Sequence, residues 1–319
     1  MNRRRVLKLG IGFAAATAGA LAEVRPTTPI LDAHIHLFDP TRQGGVPWPT
    51  QEDAVLYKSA LPSRYEQVTR TLGLVGAIAI EASPHESDND WVLKQISDHP
   101  MIVGLVGNLT PGSPSYGRQL DRLHSNPLFV GIRYGNLWDR DLMADMKKPG
   151  FLADLRKLAS MGLELDSANP DPKLIQAILE VAQKVPDLRI VIDHLPAAPD
   201  PGETNAHKEY WSNLRALSQN PRVFVKLSEI PVRQADRVPK EVSFYRDKLD
   251  AIWDVFGEDH ILFGSDWPNS DHLATYTETL RLAQDYVFGK GSEAAEKYFF
   301  KNSITAYRWQ PRKPDQQVA

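Results

Sequence analysis

"RIVIDH" at residues 189–194 and "VFVKLS" at residues 223–228 share one construction, a short run apolar at successive positions that ends in polar or ionisable residues. A strand with one wet face alternates apolar and polar side chains. A run apolar on both faces instead suits a parallel sheet covered on both sides. Similar β-rich runs occur at residues 29–36, 74–81, 102–107, 129–133, 163–166 and 261–266, which brings the number to eight. Between them lie stretches with apolar residues at helical spacing and Asp or Ser near their starts. Examples are "DNDWVLKQISDH" (88–99), "FLADLRKLASMG" (151–162), "DPKLIQAILEVAQKV" (171–185) and "SFYRDKLDAIWDVFG" (243–257). Strand and helix alternate with a spacing of about 25 to 45 residues, which predicts an α/β fold of one domain, a closed (β/α)8 TIM barrel. An open doubly wound sheet is the alternative, but no glycine-rich phosphate fingerprint follows the first strand.

Working outward, residues 38–62 and 196–211 carry many prolines and glycines and read as long loops at the carboxyl-end face of such a barrel. Residues 292–309 read as a closing helix and residues 310–319 as a frayed tail. At the other end, "MNRRRVLKLGIGFAAATAGALA" (1–22) has a cationic start, a short apolar run and a small-residue end. It reads as an export signal of the twin-arginine kind, leaving a mature domain of residues 23–319 in the periplasm or otherwise outside the cytoplasm, with no stable membrane insertion after cleavage. Its removal takes four basic residues and no acidic ones, so the formal charge falls from −3 to −7. That balance argues against nucleic acid or an anionic membrane surface as a partner and leaves a small molecule. The chain has no cysteine, which excludes disulfides, thiolate ligands and a cysteine nucleophile.

The first strand runs into "LDAHIHLFDP" (31–40). Side chains alternate along a strand, so His34 and His36 share one face and Ile35 takes the other. Taken alone, the pair suits either a hydrogen-bonded couple at a strand end or metal and catalytic use. The other strand ends carry Glu81, Arg133, Asp166, Asp193 with His194, Lys226 with Ser228, and Asp266 with Trp267. Ionisable groups gathered at the carboxyl ends of barrel strands make a mouth in which proton affinities can be tuned for acid–base chemistry.

"DAHIHLFD", "VGIRYGN", "IVIDHLP", "VFVKLS" and "ILFGSDWP", in that order over nearly the whole mature chain, resemble the amidohydrolase superfamily. The likeness is to its amidohydrolase-2 branch of sugar-lactone and muconolactone-type lactonases and 2-pyrone-4,6-dicarboxylate hydrolase. The resemblance implies the barrel and hydrolysis at a carbonyl, here opening of a sugar lactone or a carboxylated lactone by water. Asp266 matches the aspartate that takes a proton from the attacking water, and His194 the histidine that polarises the scissile carbonyl or serves as a ligand. His34 and His36 match the first-strand pair. The resemblance leaves two roles open for them: ligation of one divalent metal, zinc by ligand type, together with Asp266 and completed by Glu81, or metal-independent hydrogen bonding to the substrate. Metal-holding relatives usually have a further histidine at the end of strand five, where this chain reads "LELDSANP", and that departure weakens the metal case.

Ester cleavage also needs groups that hold the substrate. Arg133 suits a substrate carboxylate and Lys226 a point charge, and together they would favour an acidic lactone. Structural pairing of Arg133 with Asp166 and of Lys226 with Glu229 is the alternative. Trp267 and Trp48 either stack on a substrate ring or serve the core. Two rival functions remain at this level, a metal-dependent decarboxylase of the same superfamily and a non-catalytic exported binding protein.

Overall fold

The computed structural model describes residues 28–198, 202 and 205–317, so the expected export signal lies outside the described residues. Eight strands follow one another in chain order around a single sheet, each parallel to the next. They are β1 (Ile30–His36), β2 (Leu74–Ile80), β3 (Ile102–Gly107), β4 (Phe129–Arg133), β5 (Glu164–Ser167), β6 (Arg189–Ile192), β7 (Val223–Lys226) and β8 (Ile261–Leu262). The ring closes through a seam between β1 and the segment after β8. Ala33 N donates to Phe263 O at 2.9 Å, Asp266 N to His34 O at 2.9 Å and His36 N to Trp267 O at 2.7 Å. The result is a TIM barrel.

Helices cover the outer face: α1 (Pro62–Thr69), α2 (Asp88–Ile96), α3 (Tyr116–His124), α4 (Leu142–Asp145), α5 (Phe151–Ser160), α6 (Pro172–Lys184), α7 (Asn205–Ser218), α8 (Val242–Phe256) and α9 (Tyr276–Val287). Their starts follow from local chemistry. Asp171 accepts from Leu174 N at 2.7 Å ahead of Pro172, and Thr275 and Glu278 form a reciprocal capping box. Leu174, Ile175, Ile178 and Val181 then bury one stripe of α6. None of the described helices is long and apolar enough to cross a membrane.

Strand alternation separates two apolar cores. Ile190, Ile192, Val223 and Val225 pack outward against the helices, whereas Val191 and Phe224 point into the barrel with Leu31, Ala33 and Ile80. A register shift between Asp32 and Ile35 breaks the alternation of β1. Leu31 and Ala33 face in, but Ile35 faces out, and this turn of the backbone sends His34 and His36 toward the mouth.

Several expectations need correction. β6 and β8 stop at Ile192 and Leu262, short of the ionisable residues assigned to their ends, whereas β7 ends on Lys226 as expected and stops short of Ser228. Residues 205–211 of the second long loop are already helical in α7. The closing helix is broken into α10 (Ser292–Glu296), a π turn at Lys297–Lys301 and α11 (Asn302–Tyr307). The described part of the tail is docked. Gln316 is fully buried and donates to Val75 O and Pro100 O at 2.8 and 2.9 Å, and Arg312 donates to the carbonyls of Ile96, His99 and Ile102.

Candidate active site

The residues just beyond β6, β7 and β8 are bent in the same way. His194, Glu229 and Asp266 have φ of 51°, 51° and 58°, left-handed values that cost a residue with a Cβ about 1–2 kcal/mol. Strain of this kind persists where the surroundings enforce it, and it gathers at functional sites. Here the three left-handed residues bring one nitrogen and two carboxylate oxygens within 4.8 Å of one another.

His34 and His36 meet the same point from β1. Asp266 Oδ1 lies 3.2 Å from His36 Nε2, 3.6 Å from His34 Nε2 and 3.9 Å from His194 Nε2, while Asn269 donates to Oδ2 at 2.6 Å. Oδ1 is buried and has no hydrogen bond of good geometry. Gly264 permits the approach of β1, since a Cβ there would sit 2.8 Å from His34 Cβ. Three overlapping groups have ligand atoms close enough to share a divalent cation: His34, His36 and Asp266; His34, Asp193 and His194; His194, Glu229 and Asp266. An unpartnered carboxylate oxygen ringed by imidazole nitrogens fits such an ion in donor type and number.

Burial sets the proton affinities. It drives the His34 and His194 imidazoles well below their usual range and His36 to about 4, helped at His36 by the Arg133 charge, so all three are neutral at neutral pH. Burial also raises Asp266 to about 6, and it raises Glu229 to about 9 with the facing Asp266 carboxylate adding to the effect. The two carboxyls face each other, and the pair holds its proton on Glu229 while Asp266 is the one that ionises.

Beneath the mouth lies a second polar layer. Arg133 Nε is 3.1 Å from Asp193 Oδ2, and its Nη1 is 3.9 Å from Glu81 Oε1. Lys226 is fully buried between Asp166 at 2.6 Å and Asp193 at 2.9 Å. Burial alone would lower its proton affinity, but these two carboxylates outweigh it and hold the ammonium above its ordinary range.

The opening above Asp266 is a cleft of about 230 Å³ whose wall includes His36, Trp48, Glu81, Arg133, Trp138, His194, Glu229 and Asp266. This arrangement brings together Asp266, His194, His36 and His34 as a cluster and places Glu81 and Arg133 beside it. Four expectations change. Glu81 belongs to none of the three ligand groups, because its carboxylate accepts from Trp138 Nε1 at 3.0 Å and Ser83 N at 3.0 Å. Lys226 is sealed behind His34 and off the cleft wall, and it pairs with Asp166 and Asp193 rather than Glu229. Arg133 is on the wall, but its partner is Asp193 rather than Asp166 and its charge is already shared with two carboxylates. Trp267 is in the core, 1% exposed, against Tyr65 and under Arg64, while Trp48 does line the cleft.

Glu229 and Trp138 were not identified from sequence as site residues. Trp138 follows the fourth strand in "YGNLWDR", and an aromatic residue at that position in a barrel loop was the available signal. Glu229 gave none beyond its adjacency to Ser228.

A family model described as amidohydrolase matches residues 31–309, from β1 past α11. The chain belongs to the amidohydrolase family. Among curated relatives, the L-fucono-1,5-lactonase of Burkholderia ambifaria is 26% identical over 285 residues, covering 87% of this chain and 95% of that protein. Two solved structures share the amidohydrolase barrel. An amidohydrolase from Burkholderia multivorans with bound zinc has a TM-score of 0.76 at 20% identity, covering 88% of this chain and 99% of that one. A protein described as a probable 2-pyrone-4,6-dicarboxylic acid hydrolase from Acinetobacter baumannii, with citric acid bound, has a TM-score of 0.68 at 17% identity, with the same two coverages. At those identities the likeness is one of fold.

Proposed function

We propose that this amidohydrolase opens a neutral, polyhydroxylated lactone, a sugar lactone, by attack of water on the ring carbonyl. The charge of the cleft carries this reading. Three carboxyl groups, Glu81, Glu229 and Asp266, face the cleft against one cation, Arg133, which is already paired. Carboxyl groups therefore outnumber cations on the wall, which disfavours a substrate that brings carboxylates of its own. Carboxyl groups that accept from hydroxyls, and the indoles of Trp48 and Trp138 on the wall, suit a sugar ring instead. The lactonase names of the curated relatives support the same chemistry.

Asp266, ionised above about pH 6, takes a proton from water as the water oxygen bonds to the carbonyl carbon. The carbonyl oxygen becomes anionic and is stabilised by the His194 imidazole on the wall, whose other ring nitrogen meets Ser228 Oγ at 2.8 Å. Collapse breaks the ring C–O bond, and the leaving alkoxide recovers the proton from Asp266, giving the open hydroxy acid. Burial keeps His194 neutral, so it polarises the carbonyl without protonating the water. Of the three ligand groups only His194, Glu229 and Asp266 lies wholly on the wall, and these residues would hold a divalent cation, zinc by donor type, which would supply Lewis acidity at the carbonyl and a more acidic water.

A panel of aldonolactones and carboxylated lactones, scored by acid release with and without chelator, tests the reading. Turnover should be confined to the neutral aldonolactones. Preference for a dicarboxylated lactone would overturn it, and loss of turnover on chelation restored by zinc would identify the ion.

A further inference from the structure

Lys226 and the two histidines of β1 form a chain of hydrogen bonds with a single direction. The Lys226 ammonium has three protons and three acceptors around it: Asp166 Oδ2 at 2.6 Å, Asp193 Oδ1 at 2.9 Å and His34 Nδ1 at 3.1 Å. An ammonium has no lone pair, so the imidazole nitrogen it faces must be the bare one. Asp193 Oδ1 also lies 3.5 Å from that nitrogen, but a proton placed there would meet the ammonium at shorter range. His34 therefore carries its proton on Nε2.

The other end of the chain is fixed independently. His36 Nδ1 lies 3.2 Å from the carbonyl oxygen of Ile80, an atom that only accepts, so His36 is protonated at Nδ1 and bare at Nε2. The two rings touch through their Nε2 atoms at 3.3 Å. One has a proton there and the other a lone pair, so the two tautomers agree at the contact. For both Nε2 atoms to bind one cation, His34 would have to move its proton to Nδ1, against the ammonium. His34 also stays off the cleft wall, which His36, His194 and Asp266 reach.

We propose that Lys226 is a positioning residue that fixes His34 as a hydrogen-bond donor, so that the His-x-His pair does not chelate and any divalent cation in the mouth is held without His34. The inference concerns the same cleft as the lactone reading, but neither readout below involves turnover, so failure of one leaves the other standing.

Long-range proton–nitrogen correlation on protein labelled with nitrogen-15 histidine, as isolated, reads the tautomers directly. His34 should show a bare Nδ1 and a protonated Nε2, His36 the reverse. Lys226→Arg should keep this pattern and Lys226→Met should shift His34 toward the other tautomer. A His34 with its proton on Nδ1 in the wild-type protein overturns the proposal, whether or not Lys226→Met folds. The second arm is a cobalt titration followed by visible absorption. His34→Gln should bind cobalt no more than about a hundredfold more weakly than wild type, the cost of losing an outer-shell partner, and a larger loss, as when a ligand itself goes, overturns the proposal.

Discussion

Asp266 holds three jobs at once. Its left-handed backbone aims the carboxylate into the mouth, Asn269 ties one oxygen, and the other oxygen is left bare among imidazoles. Replacing it with Asn keeps the volume and removes the base, so kcat should fall by roughly 10² to 10⁴, the usual worth of a general base, with little change in KM. In the proposed mechanism the base works as a carboxylate, and burial has raised the proton affinity of Asp266 to about 6. Activity of metal-free enzyme should therefore fall as pH drops through about 6. A bound cation stabilises the carboxylate and should move that limb to lower pH. An acid limb that stays below about 5 without metal would remove Asp266 as the titrating base. At this scale the sequence was informative about identity. His34 and His36 were legible as a pair at the end of the first strand, and His194 and Asp266 through the motifs "IVIDHLP" and "ILFGSDWP" that carry the family resemblance. Glu229 was not, because its entry into the cleft depends on a strained turn that no residue pattern signals.

At the scale of the element, β5 carries a cost inside the barrel. Glu164 is fully buried, neither carboxyl oxygen has a partner of hydrogen-bonding geometry, and the Asp166 carboxyl lies beside it. Gly131 on β4 has no side chain because a Cβ would collide with this carboxyl. Burial first, and the charge of Asp166 second, hold the Glu164 proton well above the usual carboxylate range. The unfolded chain releases that proton above about pH 4.5 whereas the folded one keeps it, so the folded state loses stability as pH rises from there. Glu164→Gln removes the penalty and lets the amide donate to Asp166. It should melt roughly 2 °C or more above wild type at pH 8, with the difference closing near pH 4. Thermal melts at the two pH values decide it, and a variant less stable at pH 8 would mean that the carboxyl is satisfied as it stands.

Over the whole molecule, the carboxyl-terminal segment closes the barrel opposite the mouth. Tyr307 of α11 donates to Asp166 at 3.0 Å, Arg189 Nε donates to Ala306 O at 2.7 Å, and Phe300 and Trp309 join the inner apolar core. Beyond it, Gln316 and Arg312 cap carbonyl groups of β2, β3 and the turn before β3. Truncation after Trp309 removes those hydrogen bonds, each worth about 0.5–1.5 kcal/mol net, and should lower Tm measurably while the unfolding transition stays cooperative. A truncated protein that melts with the full-length one would make the tail ornamental. Its place at the chain end had marked this segment as frayed, yet its polar side chains suit it to capping exposed backbone.

The barrel, the order of its eight strands and the four-residue cluster of His34, His36, His194 and Asp266 are readable from the sequence. Hydrophobic period and strand-end chemistry are written locally, and eight repeats of one pattern leave few ways to close. The tertiary structure decided which way those residues face and with whom they pair. A register shift in β1 turns its histidines inward, three left-handed turns bring His194, Glu229 and Asp266 together, and Asp193 takes Arg133 and Lys226 away from the partners their neighbours suggested. Pairing of buried charges depends on distances between strands far apart in sequence. No local pattern encodes those distances, so the excess of carboxyl groups over cations on the cleft wall, on which the proposed preference for a neutral lactone rests, appears only once the barrel is closed.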